Sequence, residues 1–474
     1  MGIDITSFYI YRFRYWIGYI GIGLLLAGLL TFAGLYTPGG ISDQEVESVI
    51  KSSQITITDM SSLAITNLPY HLLQQASFQL FGVSDFTIKL PSLLLALLSA
   101  IGLILLLQRW FKPRIAVLAS LIAISTGQFL FIAQSGTPGI LYVLWSVWLL
   151  LLATLIAKRS HPGLLWKILF FVVAALSLYT PLSIYALVAM AVAAVLHPHL
   201  RFIIRQLSKV RILWGALVGA VIVTPLVIGV IRTPELGLQL LGIPSEWPDL
   251  SANIVILFNQ YLGFITASTT GLMTPVFGLG SMILIAFGVY RLIKTRDSTQ
   301  SYLIIIWLLC LIPILITNPL YTSVTFLPLV LLLATGLNSL LTYWYSLFPR
   351  NPYARLVGLL PLIVLVGALM LSGLERYIYG YHYDPKTVPN FSRDVRLMPD
   401  DPSQLVVSPD ELPFYSVVGT YNGGPRVALT PTEDRFIATN DGNTDFAGYS
   451  IEQIVTSSTY QDADRFYIYK KNDQ

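Results

Sequence analysis

The sequence predicts a polytopic α-helical membrane protein of about eleven transmembrane helices with a small C-terminal extracytoplasmic α/β domain. Three observations carry that expectation. Of 474 residues, 55% are hydrophobic and 11% charged, and mean hydropathy is +0.69, which is more apolar surface than one soluble core buries. Apolar runs recur at bilayer-crossing length. Basic residues collect in every second connection between those runs.

At about 1.5 Å per residue, the spanning runs are 16–36, 90–108, 115–133, 139–157, 164–180, 182–197, 212–231, 273–290, 302–318, 322–342 and 356–374. The fifth and sixth are the shortest and share the turn "YTPLS" at 179–183. Arg12/Arg14, Arg109/Lys112/Arg114, Lys158/Arg159, Arg201/Arg205/Lys209/Arg211, Arg291/Lys294/Arg296 and Arg350/Arg355 alternate with connections holding only Lys51, Lys89 and Arg232. The positive-inside rule then puts the N-terminus in the cytoplasm and the C-terminus outside, as expected of a plasma-membrane protein. The first run exceeds a signal-peptide core and lacks a clear A-x-A site, so it is expected to be an uncleaved helix.

The chain divides at 375/376. Residues 1–375 form the membrane domain, whose outer loop 37–88 holds interfacial helices, and 376–474 form the soluble domain. In the latter, "QLVVS" (404–408), "RVALT" (426–430) and "RFYIYKK" (465–471) are expected strands, and "SIEQIVTSS" (450–458) an expected helix.

Composition also excludes functions. A net charge of +4 gives no nucleic-acid footprint. The single cysteine, Cys310, forms neither an intrachain disulfide nor a cysteine metal cluster. The five histidines show no HExxH-like spacing, so no metal and no cofactor are expected, although a carboxylate-held divalent ion stays open. The spans hold no Asp or Glu, which disfavours an ion-coupled transporter.

Acids gather instead in the outer segments. In "SDQEVESVIKSS", Ser42 and Glu45 fit a capping box, and early acids suit the positive end of a helix dipole. At about 100° per residue, Val46, Val49 and Ile50 form one stripe, with Asp43 and Glu47 along one border and Glu45 along the other. Such a helix is expected at the membrane interface, where its carboxylates meet an amphiphilic headgroup.

The following stretch carries a resemblance. "LFGVSDFTIKLPS" (80–92), after the turn "NLPY" (67–70), resembles the first outer loop of the GT-C glycosyltransferases that use polyprenyl-phosphate sugars, the group of the protein O-mannosyltransferases and the lipid A aminoarabinose transferase. "FIAQSGTPGILYVLW" (131–145) is similar to the family segment after the third span. The chain departs in four places: "DQE" stands for an adjacent Asp-Glu pair, Asn67 for the histidine of an HPPL-like turn, Lys89 for the usual Arg, and Thr137 and Gly139 where relatives often carry Arg and Tyr.

The resemblance implies transfer of a sugar from a polyprenyl-phosphate donor to an extracytoplasmic glycan, lipid or protein acceptor. Inverting displacement needs a carboxylate to take the acceptor proton and a cation for the departing phosphate. Asp43 is the first candidate base and Glu45 the second. Lys89 and Arg232 are the candidate phosphate ligands, against snorkelling to the interface. Asn67, Tyr70, His71, Gln134 and Ser135 are candidate sugar contacts, and Glu235, Glu246 and Asp249, with Trp247 between them, are candidates for part of an acceptor groove. For each of them a cap, packing or membrane-anchor role is the plainer alternative. The competing whole-chain readings are a catalytically inactive scaffold of the same fold and a flippase or transporter of lipid-linked sugars.

Overall fold

The structure, a computed structural model, describes residues 40–158, 163–263, 276–347, 360–379, 388–456 and 465–472, except 57, 60, 61, 159–162, 208, 245, 297, 392, 400, 402 and 403, with isolated positions from 20 to 31 and residue 357. The first expected span and the start of the eighth therefore lie largely outside the described residues.

Helices α1 (Asp43–Ser53) and α2 (Leu68–Phe81) precede α3 (Asp85–Trp110), α4 (Pro113–Ile124), α5 (Gly127–Gln134) and α6 (Ile140–Ala157). Then come α7 (Gly163–Ser177), α8 (Ile184–Leu196), α9 (Pro198–Arg205), α10 (Lys209–Arg232), α11 (Pro234–Leu241) and α12 (Leu250–Leu262). The bundle closes with α13 (Leu279–Lys294), α14 (Thr299–Thr317), α15 (Phe326–Leu347) and α16 (Leu360–Ile378). Among the described residues six helices are long and apolar enough to cross a membrane, or up to eight if two bent pairs each count as one span. The chain is a membrane protein of mostly helical build.

The bends have local causes. The expected third span breaks by 60° between α4 and α5, where the Thr126 hydroxyl caps α5 by accepting from Phe129 N. The α8–α9 pair turns by 92° at His197-Pro198, because proline opens a new helix readily and continues an old one poorly. Helix α3, by contrast, runs without a break through Pro91, so it begins five residues before the expected span at 90–108. Pro91 has no N–H to offer the Thr87 carbonyl, and the Ser77 hydroxyl of α2 donates to that carbonyl at 3.1 Å. Gln74 donates to the neighbouring Ile88 carbonyl at 3.0 Å. One proline thus fixes how α2 lies on α3.

The C-terminal unit is a five-stranded sheet, β1 (Gln404–Val406), β2 (Arg426–Ala428), β3 (Arg435–Thr439), β4 (Tyr449–Thr456) and β5 (Arg465–Lys471), in the order β2-β1-β3-β5-β4. Strand β1 pairs in parallel with β2 and β3, and β5 is antiparallel to β3 and β4. Helix α17 (Leu412–Asn422) makes the crossover from β1 to β2. The expected helix at 450–458 is instead strand β4. It is an exposed edge strand carrying a bulge between Ile451 and Gln453, and the bulge shifts Ile451, Ile454 and Val455 out of strict alternation into what looks like a helical spacing.

The sheet unit does not stand apart. Its core of Leu405, Phe414, Val418, Ile437 and Phe466 is continuous with Ile41, Val49, Phe78, Val83 and Ile88 from the first loop. The Val46/Val49/Ile50 stripe of α1 accordingly packs against protein where the sequence suggested lipid, and burying Val49 completely contributes roughly 2 kcal/mol.

Candidate active site

Helix α1 starts with a capping box: Ser42 accepts from Glu45 N, and the Glu45 carboxylate accepts from Ser42 N at 2.8 Å. From that fixed start, helix rotation sends the three acids to three environments. Asp43 is exposed and faces Arg393 at 3.8 Å. Glu45 is fully buried, where its other oxygen accepts from the Gly136 N–H at 2.5 Å. Glu47 lines a cavity of about 950 Å³, together with Gln44, Ser48 and Lys51 from the same helix face.

The other walls come from far along the chain. The start of α2 supplies Asn67 and His71, the α5–α6 region Gln128, Ser135, Thr137 and Tyr142, helix α11 Glu235 and Gln239, and the α14–α15 connection Asn318, Tyr321, Thr322 and Ser323. Among the described lining residues Lys51 is the only lysine or arginine. It pairs with Glu47 at 2.7 Å, both side chains more than half exposed, so the pair is worth at most about 1 kcal/mol and opens easily to a ligand.

Asn67 has a left-handed backbone, φ 58°, a conformation asparagine tolerates better than most residues. Its N–H donates to the Tyr179 carbonyl at 2.7 Å, and its side-chain oxygen has no partner among the described residues. His71 is buried, with Nδ1 at 2.8 Å from Ser52 Oγ. Ser52 has one proton and lies 2.7 Å from Gln74 Oε1. Donation there leaves Ser52 to accept from His71 Nδ1–H and assigns the lone pair to Nε2. Burial, helped by the Lys51 ammonium, lowers the imidazole to about 4, so His71 is neutral at physiological pH.

The remaining sequence candidates lie elsewhere. Tyr70 is buried and bonded to Ser92 at 2.9 Å, and burial pushes its phenol up. Lys89 is buried and donates to the Gly40 carbonyl at 2.9 Å, which fixes the entry to α1. Gln134 is fully buried with neither amide atom paired and is absent from the cavity lining. Arg232 is exposed at the end of α10, and Trp247 is 80% exposed. The cavity therefore brings together Asn67, His71, Ser135 and Glu235 of the candidates and leaves out Asp43, Glu45, Tyr70, Lys89, Gln134, Arg232, Glu246, Trp247 and Asp249. Sequence reasoning assigned no site role to Lys51, Gln128 or Thr322, and mentioned Glu47 only as a border acid. A helical wheel of α1 that follows residues 44, 47, 48 and 51 would have found two of these. No cluster of three potential metal ligands occurs among the described residues.

Comparison with known proteins accords with this architecture. Residues 68–228 match the family model for dolichyl-phosphate-mannose-protein mannosyltransferase. No curated protein matches the chain significantly. Among solved structures, ArnT from Cupriavidus metallidurans bound to undecaprenyl phosphate superposes with a TM-score of 0.56 at 12% identity, over 96% of this chain and 99% of that one. The Archaeoglobus fulgidus oligosaccharyltransferase tethered with an acceptor peptide gives a TM-score of 0.51 at 13% identity, over 89% of this chain and 64% of that one. The protein thus has the GT-C fold of these transferases and, through the segment matched by the mannosyltransferase model, resembles the members that use polyprenyl-phosphate sugars.

Proposed function

We propose that the protein is an inverting glycosyltransferase that moves a sugar from a polyprenyl-phosphate donor to an extracytoplasmic acceptor. The observation that carries this reading is the cavity of mixed polar and apolar lining at the loop end of an apolar bundle, with a carboxylate and a cation on one face of α1. Such a site suits a ligand with a lipid tail, a phosphate and a sugar. The alternation of basic connections supports a cytoplasmic N-terminus, with the cavity, α1 and the sheet unit outside in this reading.

In this reading an acceptor hydroxyl attacks the anomeric carbon. The carbon–oxygen bond to phosphate breaks, and polyprenyl phosphate departs with the bonding pair. The hydroxyl proton passes to a carboxylate. Among the described lining residues Glu47 and Glu235 are the two carboxylates, and Glu47, which stands beside Lys51 on α1, is the base in this reading ahead of Glu235 and of Asp43, which is exposed one turn earlier. Glu45 is committed to holding α1 against Gly136. Lys51, released from Glu47, neutralises the departing phosphate. His71, neutral, serves as a hydrogen-bonding group. The acceptor's identity as glycan, lipid or protein is left to the assay.

A second reading, the catalytically inactive scaffold, is favoured by one observation: neither Asp43 nor Glu45, the acids nearest the family's acidic pair, lines the cavity. Transfer of radiolabelled sugar from a panel of polyprenyl-phosphate sugars to membranes of the source cell separates the two. Incorporation that requires the intact protein supports the transferase. Absence of incorporation from a broad panel, with the protein folded, supports the scaffold.

A further inference from the structure

Gln128, the second residue of α5, lines the cavity with a side chain only 5% exposed. Its amide nitrogen reaches Thr322 Oγ1 at 3.5 Å, the long limit of a hydrogen bond, and its amide oxygen has no partner among the described residues. Turning the amide over would pair the oxygen with the Thr322 hydroxyl and strand the nitrogen. In either orientation one end of a buried amide is left without a partner among the described residues, and a ligand in the cavity that Gln128 lines would supply it. A second amide repeats the pattern, since Asn67 Oδ1 on the same cavity is buried and unpaired as well.

We propose that Gln128, with Thr322 and Asn67, forms a subsite that reads the hydroxyl groups of an uncharged sugar on the lipid-phosphate donor. A hydroxyl both donates and accepts, so it satisfies the amide in either orientation. An ammonium or a carboxylate would satisfy only one. Thr322 adds a further neutral hydroxyl, and the charged residues of the lining, Glu47, Lys51 and Glu235, belong to α1 and α11. The subsite rests on the transferase reading and gives its donor a class: a neutral, hydroxyl-rich sugar.

The test is equilibrium binding to the full-length protein in detergent, with undecaprenyl phosphate, undecaprenyl phosphomannose and undecaprenyl phosphoglucose as probes. The wild type is expected to bind at least one sugar-bearing lipid about tenfold more tightly than the bare phosphate. Gln128→Met, close in volume to glutamine, is expected to bring that ratio to about twofold or less while affinity for undecaprenyl phosphate stays unchanged. Thr322→Val supplies the same readout should Gln128→Met fail to fold. A preference that survives both substitutions, or no preference in the wild type, overturns the subsite and leaves the transferase reading standing. Failure of the wild type to bind any of the three lipids removes the transferase reading and the subsite together.

Discussion

Three acids within five positions of α1 have three different surroundings, and each predicts a different response to neutralisation. Glu45 accepts from Ser42 and Gly136 while fully buried, so Glu45→Gln is expected to destabilise the fold by about 2 kcal/mol, visible as a lower Tm in detergent. Asp43→Asn is expected to leave Tm unchanged, because the Arg393 contact is long and Asp43 is exposed. His71 makes stability depend on pH. Its ordinary value of 6.5 is lowered to about 4 in the folded protein, so the unfolded chain binds more protons across that interval. The stability this group contributes is complete above the upper value and is lost as pH falls toward the lower, by about 3 kcal/mol. Thermal melting from pH 7 to pH 4 should show that slope in the wild type and a flatter one in His71→Gln. Equal slopes would mean that the imidazole is not buried neutral. The acids were legible in the sequence as a cluster. Their separate fates were not, because helix rotation gives directions and only the distant partners, Gly136 and Arg393, give surroundings.

At the scale of elements, close helix packing depends on particular glycines. A Cβ at Gly288 of α13 would collide with the Leu332 carbonyl of α15, and one at Gly336 of α15 with the Leu284 carbonyl of α13. Backbone carbonyls cannot swing aside as a side-chain tip can. Gly288→Ala and Gly336→Ala are each expected to cost about 1–3 kcal/mol in thermal melts, where alanine in an open helix position would be neutral or stabilising. Elements were legible where apolar runs met clear punctuation. The capping box of α1 is where Ser42 and Glu45 suggested, and β5 spans 465–471 as expected. They were illegible where tertiary structure overrides local pattern. Pro91 reads as a helix break until Ser77 is seen serving the carbonyl it frees, and β4 reads as a helix because a bulge disturbs its period. Helix α17 and strand β3 were not anticipated. The apolar positions of α17 serve the shared core, and β3 is a short strand buried over most of its length, without the alternation that marks a half-exposed one.

At the scale of the molecule, the sheet unit and the first loop form one body. Ile41 donates to the Arg393 carbonyl at 2.7 Å, and Arg396 reaches Asp85 at 2.8 Å. The Asn422 amide both accepts from Val83 N at 2.6 Å and donates to the Val83 carbonyl at 2.8 Å. Asn422→Ala leaves two backbone groups without partners and is expected to cost about 2 kcal/mol. Faster amide exchange at residues 41 and 83 would report the loosening. Unchanged exchange would mean that the apolar contacts alone hold the two together. The membrane class and the presence of a terminal sheet were legible from composition, since the change from apolar runs to a polar tail is written along the whole chain. The cavity was not, because its walls lie up to 279 positions apart, from Gln44 to Ser323, and no local pattern records that convergence.

If the sugar moves in the cavity beside α1, the rate of a single turnover depends on the Glu47 carboxylate that lines it. With the full-length protein saturated by a radiolabelled polyprenyl-phosphate sugar that supports transfer, Glu47→Gln is expected to slow the chemical step by about a hundredfold or more while Tm and donor affinity hold. Asp43→Asn, outside the cavity, is expected to stay within about threefold of wild type. A Glu47→Gln protein as fast as wild type, or a loss confined to Asp43→Asn, would move the reaction out of this cavity.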